Sequence, residues 1–426
     1  MSINPYISKL KLLENDAIYA SLGKDSKSAI AHIGEKYNFS FQELRQLTEI
    51  SVDFKMWNEK PISSCLKIIE NNFQAKPNKK VILSEIKKVW NSLKNSKVNY
   101  EGIPSKSYYR PDLRKVKYTE SDNKVLGMCP VASDKTVCCN LMTVDAIQGC
   151  GLGCSYCSIQ TFYTDGKISI DKNLSEKLNN ITLDPNKNYH IGSGQSSDSL
   201  AMGNTGGVID AQLDFARKNP NIIFEFKTKS KNIKYLLNTD VPKNVFVSWS
   251  LNPQIFIDNE EHGTASISQR LASARALSDN GILVGFHFHP IVFYNNYQKD
   301  YSDIIQNLRH TFRSDEIAMI SMGTLTFIKS AIKKLRKAGL NTKVLQIPMS
   351  DAAGKSSYSL EIKKEIFNHV YNEFSFWHEK VFFYLCMEES IVWEMVFGTY
   401  YKNNEQFESA LFNSVYSKMN VKHIGK

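Results

Sequence analysis

The chain is poor in cysteine for a disulfide-built scaffold and poor in unbroken apolar sequence for a membrane protein. Only 8 of its 426 residues are cysteine, which argues against a secreted chain stapled by disulfides. Residues Met1 to Asn15 mix charged and apolar side chains, so no signal peptide is expected. The longest apolar run, Gly281 to Tyr294, is interrupted by His287, His289 and Pro290 and is too short to cross a bilayer. No internal repeat or low-complexity tract stands out. The expectation is a chain without a membrane partner, in the reducing cytoplasm.

Hydrophobic residues make up 42% and aromatics 11% of the chain, enough for a sizeable core and against global disorder. Lysine and arginine exceed aspartate and glutamate by 53 to 43, a formal charge of +10. That excess favours a polyanionic partner, DNA or another nucleic acid. A lysine-rich proteome from an AT-rich genome explains it equally.

The cysteines are not spread evenly. Cys150, Cys154 and Cys157 fall in Gly149-Cys150-Gly151-Leu152-Gly153-Cys154-Ser155-Tyr156-Cys157, the spacing C-x3-C-x2-C. Three thiolates this close hold three irons of a [4Fe–4S] cluster and leave the fourth iron open. The alternatives are a zinc site with a remote fourth ligand and a disulfide framework. A zinc ribbon usually shows a second C-x2-C pair, which this sequence does not have.

Residues from about 24 to 96 read as helices. Phe41, Leu44, Leu47 and Ile50 share one helical face behind a Ser40 N-cap, and 79–93 is a second amphipathic segment with a lysine-rich polar face. From Met142 onward strand and helix signals alternate. Strands are predicted at 142–147, 189–192, 222–227, 245–250, 282–287 and 317–322, with helices near 208–218, 233–238, 267–280, 301–310 and 325–338. The fold class that follows is α/β, a partial (β/α)6 barrel with an N-terminal helical extension and a C-terminal α/β segment. The predicted divisions are 1–134, 135–345 and 346–426. Ligands in such folds meet the C-terminal ends of the strands. Those ends carry Gly192-Ser193-Gly194, Thr228-Lys229, Ser250-Leu251-Asn252 and His287-Phe288-His289.

Several of these segments together resemble the spore photoproduct lyase family of radical S-adenosylmethionine (SAM) enzymes. They are the cluster loop, Ser197-Asp198-Ser199, Phe226-Lys227-Thr228-Lys229, Trp249-Ser250-Leu251-Asn252-Pro253, the spaced Glu261, Thr264 and Arg270, and Gly285 to Ile291. The resemblance implies a [4Fe–4S] cluster on Cys150, Cys154 and Cys157, with SAM as second cofactor, cleaved to a 5′-deoxyadenosyl radical. It implies that Lys229 meets the SAM carboxylate and that Ser197 and Ser250 lie along the methionine and ribose. Asn252 bonds the ribose or substrate, or caps its own loop. Tyr156 lies near the adenine and joins the catalytic candidates. Glu261 and Arg270 read as an ion pair that orders a loop. An electron donor of flavodoxin or ferredoxin type and damaged pyrimidines in DNA complete the implied partners.

Two departures qualify the substrate. The family returns a hydrogen atom from a cysteine just before the Ser-Asp pair, where this chain has Gln195-Ser196, and it follows the third cluster cysteine with tyrosine, where this chain has Ser158. Cys386, after an aromatic strand-like run, is the candidate replacement thiol. Cys138 and Cys139 precede the first strand and are expected at its wrong end for the site. A different substrate on the same scaffold, or a non-catalytic cluster-bearing nucleic-acid-binding protein, are the rival functions.

Overall fold

The computed structural model describes residues 5–73, 77–101, 116–120, 124–129, 135–157, 167–194 and 196–421. Ser158 and Gln195 lie outside them. Its N-terminal part is helical, as the periodicity requires. In the helix Phe41–Met56, Ser40 accepts from the Glu43 backbone and Glu43 reaches back to the Ser40 N–H, a reciprocal capping box. Leu44, Leu47 and Ile50 are buried, with Phe41 packed at the edge of the same core. In the helix Lys79–Asn95 only Ile82, Leu83 and Ile86 are fully buried, and Val89 is exposed.

The centre of the molecule is a sheet of eight strands in sequential order. We number them β1 (Leu126–Met128), β2 (Met142–Val144), β3 (Tyr189–Ser193), β4 (Ile222–Thr228), β5 (Val245–Ser250), β6 (Leu283–Ile291), β7 (Ile317–Thr324) and β8 (Phe382–Leu385). β2 to β8 run parallel, and β1 adds an antiparallel edge. To the six expected strands the structure thus adds a seventh parallel one, supplied by the aromatic segment near the C-terminus. Parallel strands are covered on both faces and so read as continuous apolar runs; all eight residues of β7 are buried. Between β3 and β4 the helix Val208–Lys218 buries one apolar face and ends with Arg217 and Lys218 at its negative pole. Ahead of β2 the chain contributes β1 and a strand Val116–Thr119 that pairs with Ile168–Asp171.

The sheet curls as a half-barrel. Its two ends approach where Val137, just before β2, donates to the Glu388 carbonyl, just after β8, at 3.2 Å. The N-terminal helices pack onto this body through Arg336, whose guanidinium grips the Asp53 carboxylate at 2.8 Å through both Nε and Nη2. No helix among the described residues is long and apolar enough to cross a membrane.

Candidate active site in the half-barrel

The cluster loop leaves β2 through Gly149. Its φ is +86°, and a Cβ there would lie 2.5 Å from the Lys167 carbonyl oxygen, so only glycine fits. The loop is then fastened along its length. Gly149 donates to Ser196, Ser155 donates to the Glu260 carbonyl at 2.8 Å, and Gly263 donates to the Leu152 carbonyl at 2.7 Å. Cys154 forms a β-bridge with Glu261.

Glu261 is the hub of this fastening. Arg270 donates to it at 2.5 Å, with both side chains fully buried. The Tyr156 hydroxyl and the Asn252 amide, at 3.0 Å for the amide, donate to its other oxygen. Arg270 uses its remaining donors on the carbonyls of Ser250 and Ala265 and on Thr264. Burial alone would raise the Glu261 pKa, but Arg270 and Lys229 hold it below the usual carboxylate range. Burial and the adjacent Glu261 push the Tyr156 phenol far upward, so it stays neutral.

A cavity of about 290 Å³ opens inside the half-barrel. Cys150, Cys154, Cys157 and Tyr156 form one wall, and Ser197, Lys229 and Ser250 stand beside them. The sequence therefore identified residues that the fold does bring together. Lys229 Nζ is 5.7 Å from the Tyr156 ring centroid. Burial works against its charge, but Glu261 and Cys154 raise its pKa above the ordinary value. Asp198 sets this lysine's backbone: it accepts from the Lys229 N–H at 2.6 Å and from the Thr228 hydroxyl at 2.7 Å.

Two expectations are corrected. Asn252 does not line the cavity. It is fully buried, donating to Glu261 and accepting from the Tyr301 hydroxyl at 3.0 Å, so it positions the loop instead of touching a cofactor. Cys138 and Cys139 are not at a remote end. They line the same cavity, as do Cys129 and Cys386, because the curl of the sheet carries the chain before β2 against the chain after β8.

The inner wall carries a polar network that the sequence reading did not find. Glu225, wholly buried on β4, accepts from Ser248 at 2.6 Å and pairs with His287 Nε2 at 2.6 Å and His190 Nε2 at 3.0 Å. Ser321 links His287 to His289. Burial would raise the Glu225 pKa, but Lys227 and His287 drive it well below the usual range; burial lowers that of both histidines. A glutamate inside the apolar run Ile222-Ile223-Phe224-Glu225-Phe226 was the available signal.

Among the described residues no three His, Cys, Asp or Glu side chains converge on a single-ion site. A cluster whose irons each take one thiolate does not ask them to converge. Three soft thiols on one cavity wall, with no disulfide formed, fit that group. Burial pushes the Cys150 thiol up to about 12 and Cys154 well above its ordinary range, so metal binding here must displace protons.

A three-thiol loop on the first connection of an open parallel α/β sheet, sharing its cavity with a half-buried lysine, defines a radical SAM protein. Comparison with known proteins narrows the class. The chain belongs to the spore photoproduct lyase family, whose model, described as spore photoproduct lyase, matches residues 134–363. That family consists of radical SAM enzymes with a [4Fe–4S] cluster and SAM. The spore photoproduct lyase of Clostridium acetobutylicum is 26% identical over 217 residues, covering 50% of this chain and 63% of that one. A spore photoproduct lyase of a Geobacillus species is 22% identical over 184 residues, covering 42% and 52%. The alignments thus take in less than two thirds of either relative. Among solved structures, a spore photoproduct lyase complexed with dinucleoside spore photoproduct superposes with a TM-score of 0.54 at 18% identity, covering 67% of this chain and 87% of that one. A variant with bound AdoMet and dinucleoside spore photoproduct gives 0.53 at 17% identity, covering 68% and 89%. At such identities the likeness is one of fold.

Proposed function

We propose that this chain is a radical SAM enzyme of the spore photoproduct lyase type, acting on a damaged pyrimidine in DNA. The observation that carries the reading is the sharing of one cavity by the three loop thiols, Lys229, Ser197 and Ser250. Cys150, Cys154 and Cys157 would hold the cluster, and Lys229 would meet the carboxylate of SAM, where a fixed cation strengthens each bond to an anion. Tyr156, held by Glu261, would form the wall against the adenine. When bound, the two cofactors supply a 5′-deoxyadenosyl radical, with a flavodoxin- or ferredoxin-type protein as electron source. The chain's own work is to orient, to exclude water and to place a hydrogen donor. The cavity lies inside the half-barrel, so a lesion inside a duplex would have to leave the stack to reach it.

A second reading, the same chemistry on another substrate, is favoured by Gln195 and Ser158, which replace the family's cysteine and tyrosine. The test is anaerobic cluster reconstitution followed by dithionite, SAM and dinucleoside spore photoproduct. Release of 5′-deoxyadenosine or methionine together with thymidine supports the first reading, and 5′-deoxyadenosine without thymidine supports the second. Neither SAM product would mean a non-catalytic cluster protein. Cys154→Ala is expected to abolish the [4Fe–4S] absorption; an unchanged spectrum defeats the ligand assignment.

A further inference from the structure

One pleat before Lys229 the cavity carries a second lysine. Glu225, Lys227 and Lys229 lie two apart along β4 and its C-terminal end, so they share one face, and both lysines line the cavity. Their surroundings differ in charge. Beside Lys229, the Glu261 carboxylate is already paired with Arg270 at 2.5 Å, which leaves the Lys229 charge for an anion. Beside Lys227, the Glu225 carboxylate lies 3.6 Å from Nζ, and its other partners are Ser248 and the rings of His190 and His287. Burial lowers the His287 pKa. Burial also works against the Lys227 charge, but Glu225 raises its pKa above the ordinary value. Glu225 and Lys227 therefore form a pair without net charge. The separation is informative as well. Elsewhere in the chain a buried lysine and glutamate, Lys363 and Glu388, close to 2.6 Å. Lys227 stops short of hydrogen-bond distance, because three side chains already meet the two oxygens of Glu225. Among the described residues no other acceptor takes its ammonium donors. Ser321 fixes the rings of His287 and His289 beside it, and Gly323 makes room for His289, since a Cβ there would lie 3.0 Å from Nε2.

We propose that Lys227 is a specificity-determining residue that donates a hydrogen bond to a ring carbonyl oxygen of the substrate base, with Glu225 as the positioning residue that sets the charge of that wall. The inference rests on the reading above, which places a pyrimidine in this cavity. A pair without net charge selects an acceptor that is polar but uncharged. A phosphate or carboxylate brought to Nζ would also meet the Glu225 carboxylate, a like charge in the same buried wall. A carbonyl gains a charge-assisted hydrogen bond without that repulsion. A pyrimidine ring whose carbonyls flank its N3–H offers such an acceptor. The two lysines thus divide the cavity, Lys229 serving the anionic end of the cofactor and Lys227 the neutral base.

Calorimetry tests both assignments on protein whose cluster has been reconstituted, left oxidised and saturated with SAM, so that no turnover occurs. The probe is dinucleoside spore photoproduct, which carries no phosphate. Lys227→Met is expected to weaken its binding about tenfold or more, the worth of a hydrogen bond from a charged donor, with SAM affinity unchanged. Because that variant leaves Glu225 charged, Glu225→Gln/Lys227→Met is measured beside it and should show the same loss. In Glu225→Gln alone the wall gains a net positive charge, and inorganic phosphate should then compete with the dinucleoside, as it should not in the unaltered protein. A merely structural role for Glu225 produces no such competition, and its absence overturns the positioning assignment. Unchanged affinity in the double variant overturns the Lys227 contact, and phosphate competition in the unaltered protein overturns the neutral acceptor; either result leaves the radical SAM reading standing. No binding of the dinucleoside by the unaltered, SAM-loaded protein defeats the pyrimidine reading and this inference together.

Discussion

Replacing Arg270 with methionine tests how the cluster loop is held. The side chain is completely buried and makes four hydrogen bonds, one of them to the equally buried Glu261. Arg270→Met keeps much of the volume but leaves Glu261 charged, hydrogen-bonded only by the neutral donors Tyr156 and Asn252, with Lys229 as the remaining nearby cation. Breaking a buried pair from one side costs about 3–5 kcal/mol, because an uncompensated charge remains. Removing that charge as well, in Glu261→Gln/Arg270→Met, should recover about 1–3 kcal/mol relative to the sum of the single changes. Guanidinium unfolding of the four proteins gives the cycle, and hydrogen exchange of the 149–157 peptide shows whether the loss is local. Iron content after reconstitution should fall in the single variant. A cost for Arg270→Met below about 1 kcal/mol, far under what a buried pair demands, would refute the reasoning; so would strict additivity.

Gly194→Ala should lose about 2 kcal/mol or more and weaken SAM binding measured by calorimetry, since φ is +92° and the new Cβ would sit 2.7 Å from Ser199 Oγ and 2.8 Å from the Lys227 carbonyl. Glu316 is gripped by Arg275 at 2.8 and 2.9 Å; burial opposes its ionisation, yet Arg275 and the Arg313 N–H hold its pKa at about 2. Its depressed value contributes stability above the unfolded pKa near 4.3, about 2 kcal/mol after allowing for the partly exposed Arg275, lost as pH falls toward 2. The difference in unfolding midpoint between the native chain and Glu316→Gln should therefore shrink from pH 6 to pH 3, and a constant difference would contradict it. Lys418 is drawn down to about 8 by burial, with its ammonium donating to the Ile317 carbonyl at 2.6 Å. The unfolded chain binds the proton more tightly, so stability should rise between pH 8 and about 10.4, and Lys418→Met should gain about 1–2 kcal/mol at pH 7 and lose that rise. Thermal melts across this range decide it.

Much of the site was legible in one dimension because its signals are local. C-x3-C-x2-C needs no partner segment to be read, nor does Ser40 three residues before Glu43, nor an apolar run long enough only for a strand. Lys229 and Ser250 stand at strand ends, which a parallel sheet puts on one side; their roles and that of Ser197 came from the family resemblance. The places where reading failed are those where distant segments meet. Asn252 read equally as a ligand contact or a loop cap, and the hydroxyl of Tyr301, 49 residues away, decides it by donating to the Asn252 side-chain oxygen. Glu225 carries no local signal of its partners, because His190 and His287 come to it from two other strands.

The sequence by itself determined the thiol spacing of the loop and the α/β alternation that places it, since both follow from spacing along the chain. Only the tertiary structure decided that Cys138, Cys139 and Cys386 face the same cavity as Cys150, Cys154 and Cys157. Position along a strand says which end a residue occupies. It does not say how far the sheet curls, and it is the curl, closing Val137 onto Glu388, that brings the two sets of thiols around one space.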